Sequence, residues 1–181
     1  MSRRLIGVFG SSKINGGELA DLAYLIGSEF KNRSGHMLTG ACAGLPLAAA
    51  RGAYTGSVPS SSFVLGISPF SPGEHFRRSG MVSVYHDHII YTGLGDDLDG
   101  QAAFRSRNRI NALTAEKAIV LPGTAGTLEE LEFSLIYGKP VVIVSGIDTV
   151  FDDQARDLVA RHKRAEVWYR NEPRDILAML Y

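Results

Sequence analysis

A glycine turn between two apolar runs carries the residue types best suited to chemistry in this chain. Segment 118–144 has the sequence AIVLPGTAGTLEELEFSLIYGKPVVIV. The order of an apolar run, a Pro-Gly-Thr-Ala-Gly-Thr turn, a helical pattern and a second apolar run indicates a strand, a helix and another strand. The free N–H groups and the dipole of such a helix start attract anions. Two carboxylates, Glu129 and Glu130, follow just inside the helix.

This turn is a candidate phosphate site because its glycines let an anion approach the backbone. It matches neither the Rossmann fingerprint nor the P-loop, since it has two glycines and no Walker lysine follows. The alternative is a tight strand-to-helix turn that needs glycine for its own geometry. The candidate binding residues of the turn are Gly123, Thr124, Ala125, Gly126 and Thr127.

The sequence allows two interpretations of Glu130. Thr127 and Glu130 have the spacing of a capping box, in which Thr127 is the N-cap and Glu130 folds back onto its N–H. In the other interpretation Glu130 is catalytic. Glu129 lies about 100° around the helix from Glu130, so at most one of the two carboxylates faces a substrate.

A basic segment one helix upstream supplies candidate cations. Segment 104–111 contains Arg105, Arg107 and Arg109, and Arg107 shares a helix face with Asn111. An arginine directed at the sheet edge binds phosphate through two N–H groups or orients a carboxylate. A solvated helix face is the alternative for each arginine.

Three other groups of residues have types that suit chemistry. In a strand His86 and His88 share one face while Asp87 points away, which leaves too few ligands for a metal site. The acidic run 96–100 lacks the spacing of an EF-hand and favours a loop. Cys42 lies in a glycine turn with no evident base, and a buried structural thiol is the alternative to a nucleophile. The sequence therefore predicts no metal.

The elements that must position these residues alternate along the chain. Apolar runs predict strands at 5–9, 36–39, 62–68, 88–92, 117–121, 140–145 and 166–169. Helical patterns cover 18–31, the residues after Gly44 through Arg51, 101–115, 128–137 and 172–180. Segments 52–61 and 69–80 are predicted to be mobile loops. This alternation predicts a three-layer, Rossmann-like α/β fold, with a mostly parallel sheet flanked by helices.

Three glycine turns follow predicted strands, at 10–12, 40–44 and 123–126. Ligands of parallel α/β sheets bind beyond the carboxyl ends of the strands. We therefore expect the three turns to meet at one edge. They add Gly10, Ser11, Gly40 and Gly44 to the candidate binding residues.

The composition favours one globular domain spanning residues 1–181, with 45% apolar and 21% charged residues. Nineteen basic residues balance nineteen acidic ones, which favours neither nucleic acid nor an anionic membrane as partner. The single cysteine excludes an internal disulfide and fits a reducing compartment. No apolar run approaches the roughly 20 residues that span a bilayer, so we expect a cytoplasmic protein.

The turn and its upstream arginine resemble a known family. PGTAGTLEE, preceded by Arg107-Asn108, is similar to the PGGxGTxxE motif and upstream Arg-Lys pair of the LOG-like family. That family, long called lysine decarboxylases, is known for cytokinin riboside 5′-monophosphate phosphoribohydrolases. The opening VFGSS and the turn at 39–44 are also similar, so the resemblance covers most of the chain.

The resemblance implies a function and a set of roles. Gly123, Thr124, Gly126 and Thr127 would hold the 5′-phosphate of a small-molecule nucleotide, and Arg107 and Glu130 would be the catalytic pair. Hydrolysis of the N-glycosidic bond would release a free base and ribose 5-phosphate. This chemistry needs no cofactor, and the family implies a homodimer.

The sequence departs from the family at two positions. Thr124 stands where the family has a second glycine, and Asn108 stands where it has a lysine, so the resemblance makes Asn108 a further candidate binding residue. An Arg-Asn pair after the IIYTG run at 89–93 looks more like a neighbouring branch that includes molybdenum cofactor carrier proteins. The alternative functions are therefore a non-catalytic carrier of a phosphorylated cofactor, such as the molybdenum cofactor, and a regulatory nucleotide sensor. Lysine decarboxylation finds no support, because no glycine turn carries a lysine to anchor pyridoxal phosphate.

Overall fold

Strands and helices alternate along the chain in the computed structural model of the protein, which describes residues 4–30, 33, 35–54, 62–79, 84–97 and 100–181. The strands are β1 Leu5–Phe9, β2 His36–Thr39, β3 Val64–Ser68, β4 His88–Tyr91, β5 Lys117–Val120, β6 Val141–Val144 and β7 Val167–Arg170. The helices are α1 Glu18–Phe30, α2 Leu45–Ala53, α3 Pro72–Ser79, α4 Gly100–Thr114, α5 Ala125–Ile136, α6 Thr149–Arg161 and α7 Pro173–Ala178.

The strands form one sheet in the order β4-β3-β2-β1-β5-β6-β7, and every neighbouring pair is parallel. The predicted α/β fold is therefore confirmed. Strands β2, β3 and β4 follow one another outward on one side of β1. The chain then crosses back, and β5 pairs with β1 on its other side. The carboxyl ends of β1 and β5 mark the reversal of strand order, which is where such sheets bind ligands.

Helices cover both faces of the sheet, which is why its central strands are apolar on both sides. Val142 and Val144 of β6 pack in the same core cluster as residues of α1, α2 and α7. Val141 and Ile143 point the other way, into a second cluster with residues of α5 and α6. Each fully buried Val or Ile contributes about 1.5–3 kcal/mol. The two clusters hold the strand ends, and the turns that follow them, in place.

Two helices differ from the sequence expectation. The prediction of a loop at 69–80 is wrong, because α3 occupies Pro72–Ser79. Proline suits the first turn of a helix, and Glu74 accepts hydrogen bonds from Arg77 and Arg78 one turn later. The helix α6 was not predicted at all. In the other predicted loop, residues 52 and 53 end α2, and residues 55–61 lie outside the described part of the chain.

Polar side chains near β4 make hydrogen bonds that hold neighbouring segments of the protein together. The Asp87 carboxylate accepts a hydrogen bond from the N–H of Val64 at 2.7 Å, and the buried His86 ring pairs with the Thr39 hydroxyl at 2.7 Å. Asp96 of the acidic run accepts from the N–H of Ser71 at 2.9 Å. Within the described residues, no group of three or more His, Cys, Asp or Glu side chains is placed to hold a metal ion. No helix in that part of the chain is long and apolar enough to cross a membrane.

Candidate functional site

A pocket opens at the carboxyl ends of β1 and β5, where the three glycine turns meet. Seven of the residues selected from the sequence line it: Gly10, Gly40, Arg107, Thr124, Gly126, Thr127 and Glu130. Ser12, Cys42 and Pro46 also line it. Ser12 and Cys42 belong to glycine turns that the sequence indicated, although Ser12 was not selected as a binding residue, whereas Pro46 carried no sequence signal of its own.

Five other selected residues do not line the pocket: Ser11, Gly44, Asn108, Gly123 and Ala125. The backbone of Ser11 joins the turns, because its N–H donates to the Pro122 carbonyl at 3.2 Å and its carbonyl accepts from Leu45 at 2.9 Å. Gly44 has a φ of 78°, a left-handed conformation that disfavours any side chain. Ser11 and Gly44 therefore build and join the turns.

Two glycines permit close approach of side chains. A Cβ at Gly40 would overlap the Arg107 guanidinium, and a Cβ at Gly123 would overlap the Thr127 side chain. The absence of a side chain at Gly40 therefore creates the space in which Arg107 lies.

The start of α5 is open toward the pocket. The helix begins at Ala125 with Thr124 as N-cap, and the Thr124 side chain makes no capping hydrogen bond. The prediction of a capping box with Thr127 as N-cap is therefore wrong. The first helical N–H to find an acceptor is that of Leu128, which donates to the Thr124 carbonyl at 3.1 Å. Among the described residues, the N–H groups of Ala125, Gly126 and Thr127 have no acceptor.

The start of α6 shows the opposite arrangement. Its N-cap Asp148 accepts a hydrogen bond from the N–H of Phe151 at 3.0 Å. An acidic N-cap of this kind satisfies the helix start and screens its positive end. The same chain thus has one helix start closed by its own side chain and another, at the pocket, left available to an anion.

Arg107 is the arginine of α4 that points into the pocket. It is 8% exposed, and its Nη1 donates to the Gly40 carbonyl at 2.6 Å. Its Nε has no partner among the described residues, although it is buried. Arg105 and Arg109 are exposed, and Arg109 donates to the Tyr137 hydroxyl at 2.8 Å. One buried guanidinium N–H is therefore available at this wall.

Glu130 faces the pocket from the second turn of α5. It is 6% exposed, and its Oε1 accepts a hydrogen bond from Asn111 Nδ2 at 2.8 Å. Burial raises the pKa of the Glu130 carboxyl to about 7, although Arg107 and the Asn111 hydrogen bond oppose the rise and Glu129 adds slightly to it. A carboxyl with this pKa exchanges its proton near neutral pH, as a general base must.

Asn108 and Glu129 support α5 from outside the pocket. Asn108 Nδ2 donates to the Gly126 carbonyl at 3.3 Å and to Glu129 Oε2 at 3.0 Å. Glu129 also lies 3.8 Å from the exposed Arg105. The amide that replaces the lysine of the resembled motif thus fixes the first turn of the helix.

Cys42 lies on the wall beside the catalytic candidates. Burial raises the pKa of its thiol, and the neighbouring Arg107 guanidinium opposes that rise. A raised pKa leaves little thiolate at neutral pH, so the site does not activate Cys42 as a nucleophile.

A family model supplies the decisive comparison. The SLOG cluster4 family model matches residues 3–177. The chain belongs to this family. The match confirms the resemblance to the LOG-like superfamily, of which the SLOG cluster4 family is part. No curated protein matches the sequence.

Solved structures similar to this SLOG cluster4 protein include a binding protein and a carrier protein for the molybdenum cofactor. The molybdenum cofactor binding protein of the phototrophic bacterium Rippkaea orientalis is 25% identical, with a TM-score of 0.75 over 99% of this chain and 96% of that one. The molybdenum cofactor carrier protein of Chlamydomonas reinhardtii is 23% identical, with a TM-score of 0.70 over 99% and 96%.

The same fold occurs in a protein that binds nucleic acid. DNA processing protein A of Helicobacter pylori, which binds single-stranded DNA, is 13% identical with a TM-score of 0.67. The alignment covers 99% of this chain and 81% of that one. This likeness concerns the fold alone, and the absence of a nucleic-acid partner, inferred from the balanced charge, stays a prediction.

Proposed function

We propose that the pocket binds a small phosphorylated molecule of the nucleotide class, with its phosphate at the start of α5. The observation that carries this proposal is the set of N–H groups of Ala125, Gly126 and Thr127, which lack acceptors and belong to a helix start that no side chain caps. The Nε of Arg107 adds a buried, charged donor at the same wall. Backbone donors, a helix dipole and a guanidinium together suit a phosphate dianion.

We propose further that the protein hydrolyses the N-glycosidic bond of a nucleoside 5′-monophosphate. Water attacks C1′ of the ribose, and the C1′–N bond breaks with its electron pair passing to the base. Glu130 accepts the proton of the water and passes it to the departing base, so that the carboxylate is restored. The same carboxylate stabilises the positive charge that develops on the ribose. The Arg107 guanidinium fixes the position of the Glu130 carboxylate relative to the phosphate.

The alternative is a carrier that binds a phosphorylated cofactor without cleaving it. It is favoured by the likeness to molybdenum cofactor proteins over nearly the whole of each chain. Asn108 also favours the carrier function. Its amide donates hydrogen bonds to Gly126 and Glu129, and, unlike a lysine, it adds no second positive charge near the pocket.

One assay separates the two functions. The purified protein is incubated with AMP, GMP, CMP and UMP, and free base is measured by chromatography. Hydrolysis predicts base release that rises with pH through about 7, as Glu130 loses its proton. Glu130→Gln should lower kcat by about 10²–10⁴-fold, the usual contribution of a general base. Glu129→Gln is the matched control, since Glu129 neighbours Glu130 but lies outside the pocket wall.

Absence of base release from all four nucleotides at high protein concentration would exclude hydrolysis of these substrates. Phosphate binding would then be tested alone, by calorimetry with AMP and by mass spectrometry of ligands that co-purify. A co-purified phosphorylated cofactor in a protein without hydrolase activity would establish the carrier function. Equal base release by wild type and Glu130→Gln would show that Glu130 is not the base.

We also propose that the protein forms a homodimer, as the LOG-like resemblance implies. Large apolar side chains are exposed on α3, on the edge strand β4 and in the segment that follows β4, namely Phe76, Ile90 and Leu94. These residues belong to elements that follow one another along the chain, and a surface with large exposed apolar side chains is often covered by a partner.

A further inference from the structure

An exposed aromatic side chain stands on α4 one turn before Arg107. Phe104 is 42% exposed, whereas Arg107 is buried and lines the pocket. The two side chains are in contact, since the guanidinium carbon of Arg107 lies over the Phe104 ring, 5.6 Å from its centre. Residues three apart on a helix are neighbours on its surface. Phe104 therefore lies on the side of α4 that carries Arg107 to the pocket.

The direction of α4 places Phe104 farther out than Arg107. The helix follows β4 and leads to β5, and all strands are parallel, so it runs from the carboxyl edge of the sheet toward the amino edge. A helix advances about 1.5 Å per residue, which sets Phe104 about 4.5 Å beyond Arg107 on the carboxyl side. A ligand that extends out of the pocket past Arg107 therefore reaches Phe104.

Neighbouring side chains support the Phe104 ring. Phe70, which follows β3 and is buried, meets Phe104 edge to face with 5.8 Å between the ring centres. Arg78 of α3 lies over Phe70, 4.6 Å from the centre of its ring, and donates to the Glu74 carboxylate. A ring that is held in this way loses little side-chain freedom when a ligand binds. The pocket thus has a supported aromatic ring at its outer end.

We propose that Phe104 binds the base of the ligand: the base of a nucleotide whose phosphate lies at the start of α5 stacks on the Phe104 ring. An aromatic side chain stacks on any base, because every base has a π-face. A purine has two fused rings and overlaps more of the side chain than a pyrimidine, so the ligand class is the purine nucleoside 5′-monophosphates. The inference rests on the proposed phosphate site but not on hydrolysis, since a nucleotide stacks whether or not it is cleaved.

Calorimetry with ligands that are not cleaved tests this contact. The probes are ribose 5-phosphate and the carbocyclic analogues of AMP and UMP, in which carbon replaces the ribose ring oxygen and no oxocarbenium charge is able to form. The wild type should bind the AMP analogue more tightly than the UMP analogue, and ribose 5-phosphate most weakly. Phe104→Leu keeps an apolar side chain without a ring. It should weaken binding of the AMP analogue about 5–20-fold and leave the affinity for ribose 5-phosphate nearly unchanged.

Two further variants serve as controls. Phe104→Tyr keeps the ring and should retain the affinity of the wild type. Leu113→Ala removes a similarly exposed apolar side chain near the other end of α4 and should change none of the affinities. Wild-type affinity for the AMP analogue in Phe104→Leu, or an equal loss in Phe104→Leu and Phe104→Tyr, would overturn the stacking while the phosphate site stands.

The remaining outcomes separate the failure of this inference from that of the proposed function. A wild type that binds neither the AMP analogue nor ribose 5-phosphate would overturn both the phosphate site and the stacking. Equal affinity of the wild type for the AMP and UMP analogues would overturn the purine preference.

Discussion

The buried carboxyl of Glu130 imposes a pH dependence on the stability of the fold. Its folded pKa of about 7 lies above the ordinary value of 4.5, so the native state binds this proton more tightly than the unfolded chain. The contribution of Glu130 to the free energy of unfolding is therefore greatest below pH 4.5. It declines as pH rises between the two values and is fully lost above about 7.

Glu130→Gln should remove this dependence. The amide oxygen still accepts from Asn111, but no charge is buried. We expect the variant to be more stable than the wild type at pH 8, by about 3 kcal/mol, and nearly equal to it at pH 4.5. Urea unfolding at both pH values measures the difference. Glu129→Gln, a change at a partly exposed carboxylate, should alter neither value appreciably, and a Glu130→Gln gain that is equal at both pH values would contradict the linkage.

At the scale of elements, a side chain that caps the open start of α5 should stabilise the fold and weaken ligand binding. Thr124→Asp would supply the cap that Asp148 supplies to α6. We expect the free energy of unfolding to rise by about 0.5–1 kcal/mol in the absence of ligand. The added carboxylate would occupy the donors and repel a phosphate, so affinity for AMP should fall at least tenfold.

Thr124→Ser keeps the hydroxyl and should change neither property. Thermal unfolding without ligand and calorimetric titration with AMP give the two readouts. Undiminished AMP affinity in Thr124→Asp would place the phosphate elsewhere in the pocket.

Buried strands were predictable because both faces of the central sheet are covered. A run such as that of Val141–Val144 is apolar without interruption, and its bounds agree with the prediction to within one residue. The helix α6 also carried a usable signal, since Phe151, Ala155 and Leu158 follow its N-cap Asp148 at helical spacing and are buried. In α3, by contrast, Pro72 and Gly73 suggested a loop, and only Glu74 with its two arginines pointed to a helix.

The site was predictable in outline and not in its side-chain roles. Strand ends and glycine turns placed Gly10, Gly40 and Gly126 at one pocket, because parallel strands end at the same edge. The role of Glu130 was obscured by the prediction of Thr127 as N-cap. The helix begins after Thr124 instead, which places Glu130 inside the helix and against Asn111. A contact between α4 and α5 of this kind depends on how the helices pack, and the sequence pattern does not specify it.

At the scale of the molecule, the exposed apolar side chains around β4 predict self-association. Sedimentation velocity should give a dimer at micromolar concentration. Ile90→Lys, at a residue 49% exposed on the edge strand, should shift the population toward monomer while leaving thermal unfolding of the protomer little changed. A wild type that sediments as a monomer up to about 100 μM would contradict the homodimer, since specific interfaces of standard size give tighter complexes.

The position of β1 in the sheet has a consequence for synthesis on the ribosome. β1 emerges first, yet its partner β5 begins at Lys117. Until that residue is translated, the edge of β1 that will pair with β5 has no strand beside it, although Ile6, Val8 and Phe9 are among the most deeply buried residues of the finished protein. An apolar strand with an open edge invites pairing with other chains. The nascent chain should therefore be most prone to aggregation, and most dependent on chaperones, between completion of β4 and arrival of β5.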